Sequence, residues 1–256
     1  MEARAEAIRA RPLLDARHEV RPGTVAPGEL GGEVAIERLR FRYRPDGPYV
    51  IDGLSLTVRP GEMVALVGAS GCGKSTLVRL LLGFEQPESG QVLYDGHNLA
   101  GLDTEAVRRQ LGVVLQSGRI GGASVLEVVS GAHRVSLDDA WRALRAAGLA
   151  AEIEAMPMGI HTLVGEGGGN LSGGQRQRLL IARALVARPK VLLFDEATSA
   201  LDNRSQAEVA ANLAKLRVTR IVIAHRPSTL RQADRICVLE HGHIVRVGTY
   251  DEIYGG

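Results

Sequence analysis

Apolar and polar positions along the 256-residue chain change period several times, and the changes mark out its elements. Val34–Phe41 and Leu54–Val58 are short β-type runs. Met63–Val67 is apolar without interruption, as a strand covered on both faces would be. Gln91–Tyr94, Val113–Leu115, Val191–Phe194, Ile221–Ala224 and Ile236–Leu239 are further short strand runs. Between them, Leu137–Ala147, Ser172–Ala187 and Ser205–Leu216 carry helical spacing. Strands alternating with helices predict an α/β domain with a largely parallel central sheet. Ahead of this pattern, Glu2 to about His18 is rich in Ala, Arg and Glu and predicts a helix. Arg21–Gly32, with two prolines and four glycines, predicts a linker.

Composition narrows the class. Apolar residues at 45% and charged residues at 23% are ordinary for a globular domain. A net charge of +2 is too small for a nucleic-acid binder, whose basic face would dominate the balance. Cys72 and Cys237 make no disulfide framework and suit a reducing cytosol. No run approaches the roughly 18–20 apolar residues of a membrane span. The longest candidate, Leu179–Ala187, is broken by Arg183, and no signal peptide opens the chain, so solubility is expected of it as given.

Two stretches carry chemistry. Gly68-Ala-Ser70-Gly71-Cys72-Gly73-Lys74-Ser75-Thr76 fits G-x-x-x-x-G-K-[ST] between a buried strand and a helix. Glycines there let successive N–H groups curl around phosphate oxygens, and the helix N-terminus adds partial positive charge. Lys74 is expected to reach the β and γ phosphates, and the Ser75 hydroxyl to ligate Mg²⁺. A thiol in that loop, near a helix start and beside Lys74, predicts an exposed and reactive Cys72. Val191–Phe194 then delivers Asp195 and Glu196 to the C-terminal end of a buried strand, where doubly wound sheets bind ligands. Asp195 is expected to hold Mg²⁺ and Glu196 to polarise water; two adjacent carboxylates could otherwise merely cap the next helix. Together these predict a P-loop ATPase. His241-Gly242-His243 could pair two histidines on one strand face, but predicts a hairpin turn instead.

Leu171-Ser172-Gly173-Gly174-Gln175-Arg176-Gln177-Arg178 resembles the signature motif of ABC ATPases. Other landmarks follow in that family's order. Gln116 resembles the Q-loop glutamine, Ser199-Ala200-Leu201-Asp202 the D-loop, and His225 the switch histidine. Tyr43 resembles the aromatic that stacks on adenine. The resemblance runs from about Glu33 to the C-terminus. It implies a P-loop NTPase core with an antiparallel β region near residues 33–65 and a helical signature subdomain near 119–186. It implies an arm over 1–32 as connector and one ATP-binding domain over 33–256. It also implies ATP as ligand with Mg²⁺ on Ser75, Gln116 and Asp195. Ser172, Gly173, Gly174 and Gln175 would face the nucleotide of a second, identical or homologous cassette.

The kind of ABC protein can be narrowed. Lys74 and Leu171 are 97 positions apart with no sustained heptads, which excludes the coiled-coil DNA-repair class. A second Walker A loop is absent, which excludes tandem translation factors. Thr162-Leu-Val-Gly165-Glu166-Gly167 resembles the exporter-type loop that touches the coupling helices of a membrane domain. The resemblance therefore implies an exporter cassette at the cytoplasmic face of a bacterial plasma membrane, with a transmembrane domain as partner and six membrane helices upstream. Gln116-Ser-Gly-Arg-Ile120, Gly167–Leu171 and Asp195–Asn203 resemble bacteriocin-system exporters of the nitrile-hydratase-leader-microcin type, implying a modified peptide as cargo. A lipid or drug exporter, or a separate importer ATPase, remains the alternative.

Overall fold

The computed structural model describes residues 24–255, apart from 116, 117, 119 and 199. The helix expected over Glu2–His18 lies outside the described residues.

From the N-terminal side, β1 (Val34–Phe41) and β2 (Ile51–Val58) form an antiparallel pair, and β3 (Met63–Val67) leads into α1 (Lys74–Leu81). β4 (Ser89–Tyr94) and β5 (His97–Asn98) follow, then α2 (Thr104–Arg108) and β6 (Leu111–Val114). Next come β7 (Ala123–Ser124), α3 (Val125–Ser130), α4 (Leu137–Ala146), α5 (Ala150–Glu154), β8 (Leu163–Val164) and α6 (Gly173–Leu185). The chain then runs through β9 (Val191–Asp195), α7 (Asn203–Lys215), β10 (Thr219–Ile223) and α8 (Pro227–Leu230). It ends with β11 (Arg235–Glu240), β12 (His243–Gly248) and α9 (Tyr250–Tyr254).

Two sheets organise these elements. A six-stranded sheet has the order β12-β11-β3-β10-β9-β6, parallel throughout except for the antiparallel edge strand β12. A four-stranded antiparallel sheet has the order β2-β1-β4-β5. This corrects the antiparallel region expected near 33–65. Met63–Val67 belongs to the parallel sheet, and Ser89–Tyr94 joins the antiparallel one. Burial explains the division: all five residues of β3 are buried, whereas β2 and β4 keep one face partly exposed.

The parallel sheet separates two cores. Val64 and Leu66 of β3 join Val191, Leu193, α1 and the antiparallel sheet on one side. Met63, Ala65 and Val67 join Leu192, Phe194 and the helices α3, α4, α6 and α7 on the other. Side chains alternating across the strands supply both faces at once. The helices expected near 119–186 therefore share a core with the sheet.

The stretch read as a linker is bound down over its described part. Leu30 is buried, its N–H donating to Gln110 Oε1 at 2.8 Å, and the Gly31 N–H donates to Asp95 Oδ2 at 2.7 Å. His241 and Gly242 form the β11–β12 turn with φ 46 and 81. Among the described residues no group of three or more His, Cys, Asp or Glu could hold a metal ion.

Candidate nucleotide-binding and hydrolysis site

The loop after β3 is shaped by close backbone approaches. A Cβ at Gly68 would lie 2.2 Å from Leu239 O, and one at Gly73, the N-cap of α1 at φ 110, would lie 2.7 Å from Val50 O. Only glycine fits both positions. The loop they create curls around Lys74, whose side chain is buried and whose Nζ donates to the Gly68 and Ala69 carbonyls, both at 2.8 Å.

One residue on, Ser75 Oγ donates to Asp195 Oδ2 at 3.0 Å. This bond ties the start of α1 to the end of β9. Burial raises the Asp195 pKa above its ordinary value; the bond from Ser75 opposes the rise and the charge of Glu196 adds to it.

Glu196 leaves β9 with φ 52, the left-handed region. Its N–H donates to Ile223 O, and its carbonyl accepts from Gln177 Nε2, each at 3.2 Å. Its carboxylate Oε1 lies 3.2 Å from His225 Nε2. Lys74, Ser75, Asp195, Glu196 and His225 thus line one cleft of about 280 Å³, along with Ser70, Gly71, Gly73 and Thr76. At its edge Tyr43 is exposed, packs edge-on to Phe41 at 4.9 Å, and has its hydroxyl 3.2 Å from Thr76 Oγ1.

The Ser75 and Asp195 oxygens suit Mg²⁺, which takes oxygen ligands and commonly needs only one or two protein carboxylates beside phosphate. A carboxylate whose pKa is raised by burial gains from a cation placed there.

Cys72 departs from expectation. Its side chain is buried and belongs to the core cluster that holds Ile51, Leu66 and Leu239, and its N–H donates to Ala69 O at 3.3 Å. The turns at Gly71 and Gly73 roll this position inward, away from solvent. Gln116 and Ser199 lie outside the described residues.

Ser172 caps α6: its Oγ accepts the Gln175 N–H at 3.1 Å, while Gln175 Oε1 accepts the Ser172 N–H at 2.9 Å. Ser172–Gln175 do not line the Lys74 cleft. Gly173 and Gly174 face Ala200 and Leu201 instead: a Cβ on Gly174 would lie 3.7 Å from Ala200 O and Leu201 Cδ2.

Gln177 carries a task that its place in the signature-like stretch does not disclose. Its Nε2 holds the Glu196 carbonyl and its Oε1 accepts the Ala200 N–H at 2.7 Å. Arg226 and Gln206 were missed altogether. Arg226 Nη1 donates at 2.8 Å both to Leu201 O and to Gln206 Oε1, linking the residue after His225 to the turn before α7. Gln206 is buried, and nothing in its residue type, which is mostly exposed in proteins, signals that.

Fold and cleft define a P-loop α/β nucleotide-binding domain. The family model described as "ABC transporter" matches residues 51–199. The alpha-hemolysin translocation ATP-binding protein HlyB of Escherichia coli is 45% identical over 244 residues, which is 94% of this chain and 34% of that protein. The leukotoxin translocation ATP-binding protein LktB of Mannheimia glucosida matches with the same identity and coverage. A solved structure of a bacterial Atm1-family ABC exporter with ATP bound superposes with TM-score 0.90 at 36% identity, covering 98% of this chain and 44% of that one. The chain belongs to the ABC transporter family, as an ATP-binding domain. It spans about a third of the length of the curated relatives it matches.

Proposed function

We propose that this chain is the ATP-hydrolysing cassette of an exporter, that it works as a head-to-tail pair, and that its cargo is a polypeptide. The convergence of Lys74, Ser75, Asp195, Glu196 and His225 on one cleft carries the reading. Lys74 turns from its loop carbonyls onto the β and γ phosphates and offsets charge developing on the transferring group. Ser75 and Asp195 hold Mg²⁺, with Gln116 as a further ligand; the ion neutralises phosphate charge when bound. Glu196 orients and deprotonates the attacking water, a contribution typically worth ~10²–10⁴-fold in rate. His225, 3.2 Å from Glu196, keeps that carboxylate aimed into the cleft. Tyr43 offers its exposed ring to adenine, an interaction worth ~1–3 kcal/mol by analogy with base stacking.

Ser172–Gln175 stand away from the chain's own cleft, and this supports their serving a partner's nucleotide. The transport reading draws on two kinds of similarity. The relatives are named for toxin translocation and the solved structure for export. The loop at Thr162–Gly167, which resembles the exporter type, has Leu163 exposed, an apolar side chain that a transmembrane partner at the cytoplasmic face would cover. Toxin translocation favours a polypeptide over a lipid or drug. A ribosomally made, modified peptide is the narrower form of that cargo, and it rests on the resemblance of Gln116–Ile120, Gly167–Leu171 and Asp195–Asn203 alone.

Glu196→Gln tests the site. ATP should still bind with near wild-type affinity, while phosphate release falls by at least about a hundredfold. Turnover that survives the change would remove Glu196 from the reaction.

A further inference from the structure

We infer that Glu152 is a positioning residue for hydrolysis: its carboxylate orients the start of α6 so that Ser172, Gly173 and Gly174 form one donor set for a partner's nucleotide. The inference rests on the head-to-tail reading above.

Glu152 comes from α5, the helix before α6, yet both its oxygens are spent on α6. Oε1 lies 2.7 Å from Arg178 Nη1, and Oε2 accepts from Gln175 Nε2 at 2.8 Å. Arg178 is nearly fully buried and also donates to Gly148 O at 2.6 Å, the residue closing α4. One carboxylate and one guanidinium therefore lock the ends of three helices together. Partial burial opposes the charge on Glu152, but the bonds from Arg178 and Gln175 outweigh it and hold the carboxyl below its usual pKa. It is ionised at neutral pH and accepts on both oxygens.

The consequence lies in the amide of Gln175. Its oxygen accepts the Ser172 N–H and its nitrogen donates to Glu152. A flipped amide would set NH₂ against the Ser172 N–H, donor against donor, and present oxygen to a carboxylate. Glu152 makes that flip costly. With Gln175 fixed, Ser172 Oγ accepts the Gln175 N–H and its own N–H is occupied. The hydroxyl proton is left to donate outward. Gly173 and Gly174 hold the first N–H groups of the helix, which have no partner within it. One O–H and two N–H groups at the positive end of a helix make a fitting cradle for a terminal phosphate.

The test is a double-mutant cycle on the whole chain, reading steady-state phosphate release, binding of a fluorescent ATP analogue, and thermal unfolding. Glu152→Ala should lower kcat about tenfold, while analogue binding to the chain's own cleft stays within about twofold. Glu152→Gln keeps the shape and one acceptor, should unfold at the wild-type temperature, and should still lose kcat several-fold. Glu152→Ala combined with Ser172→Ala should lose less than the product of the two single losses, because the carboxylate acts partly through that serine. Wild-type kcat in both Glu152 variants, with Ser172→Ala slow, would overturn the inference and leave the head-to-tail reading standing. Losses that multiply in the double variant would make Glu152 a general helix clamp and overturn it too. Wild-type turnover in Ser172→Ala would sink the reading and the inference together.

Discussion

Asp195 and Glu196 are neighbours in sequence, yet their surroundings differ. Asp195 is buried at the end of β9, while Glu196 turns out through a left-handed backbone that costs on the order of 1–3 kcal/mol and is held by bonds to Ile223 and Gln177. That turn sends one carboxylate toward the hydroxyl of Ser75 and the other toward His225. The raised pKa of Asp195 sets the sign of a pH effect. A carboxyl with a higher pKa folded than unfolded favours the fold at low pH and loses that contribution as pH rises through the folded value. Without nucleotide, Asp195→Asn should therefore raise the unfolding temperature at pH 8 and have little effect near pH 4. Magnesium affinity of the wild type should weaken as pH falls through the raised value, at a pH where an ordinary aspartate is still ionised. Scanning calorimetry on the two proteins reads the first effect, and a stabilisation that does not grow with pH would contradict it. Cys72 marks where residue-level reading stopped. Its loop and charge were plain in sequence, but the direction of one side chain depends on the two glycine turns around it. With Cys72 buried and burial pushing Cys237 up to about 11, neither thiol should react with maleimide at pH 7.5 in the folded chain, and both should react in guanidinium. Mass spectrometry of native labelled protein checks this; rapid modification of Cys72 would place its sulfur outside the core.

At the scale of elements, length decided what sequence disclosed. The strand Val34–Phe41 was legible to its ends, and the long helices α4, α6 and α7 to within two residues, because each spans enough turns or alternations for the period to appear. The helices α2, α3, α5, α8 and α9 have four to six residues, too few for a period. Two of them nonetheless carry a local signal that went unused. Ser124-Val-Leu-Glu127 and Thr249-Tyr-Asp-Glu252 fit the capping box, and both boxes are formed. The strand expected over Val113–Leu115 begins earlier: pairing with β9 starts at Leu111 and stops at Val114. Gly112 hides the earlier start, because glycine interrupts the β-type run. Its presence has a packing cause. A Cβ there would meet Leu192 Cδ2 at 2.4 Å and Ala184 O at 2.5 Å, where β6 is wedged between β9 and the end of α6. Gly112→Ala should destabilise the chain by about 1–3 kcal/mol through overpacking, read as a lower denaturant midpoint with the slope unchanged. An unaltered midpoint would mean that β6 shifts freely.

Across the whole molecule, the strand order was beyond reach of the sequence. β3 is flanked by β10 and β11, strands more than 150 residues further on, and only packing against both cores selects that arrangement. The order matters because it brings β3, β9 and β10 side by side, so that their C-terminal ends deliver Lys74, Glu196 and His225 to one cleft. The same frame leaves Ser172 outside that cleft, which requires a second copy if Ser172 meets a phosphate at all. In the proposed head-to-tail pair, two-fold symmetry would give two equivalent sites, each built from the loop of one copy and the α6 start of the other. Mixing two inactive variants tests this directly. Lys74→Ala spoils the loop and Ser172→Arg spoils the α6 start, so each variant alone yields pairs with no intact site. In a mixed pair one site joins the sound loop of the Ser172→Arg chain to the sound α6 start of the Lys74→Ala chain. Equal mixing makes half the pairs mixed, with one good site of two, so turnover should rise toward about a quarter of wild type if the sites act independently. Phosphate release is measured for each variant and for the mixture, with mixed pairs detected by size exclusion in Mg·ATP using one tagged chain. Mixed pairs that form and remain inactive would contradict the shared-site arrangement, since a Ser172 confined to its own chain's site can never be complemented by another copy.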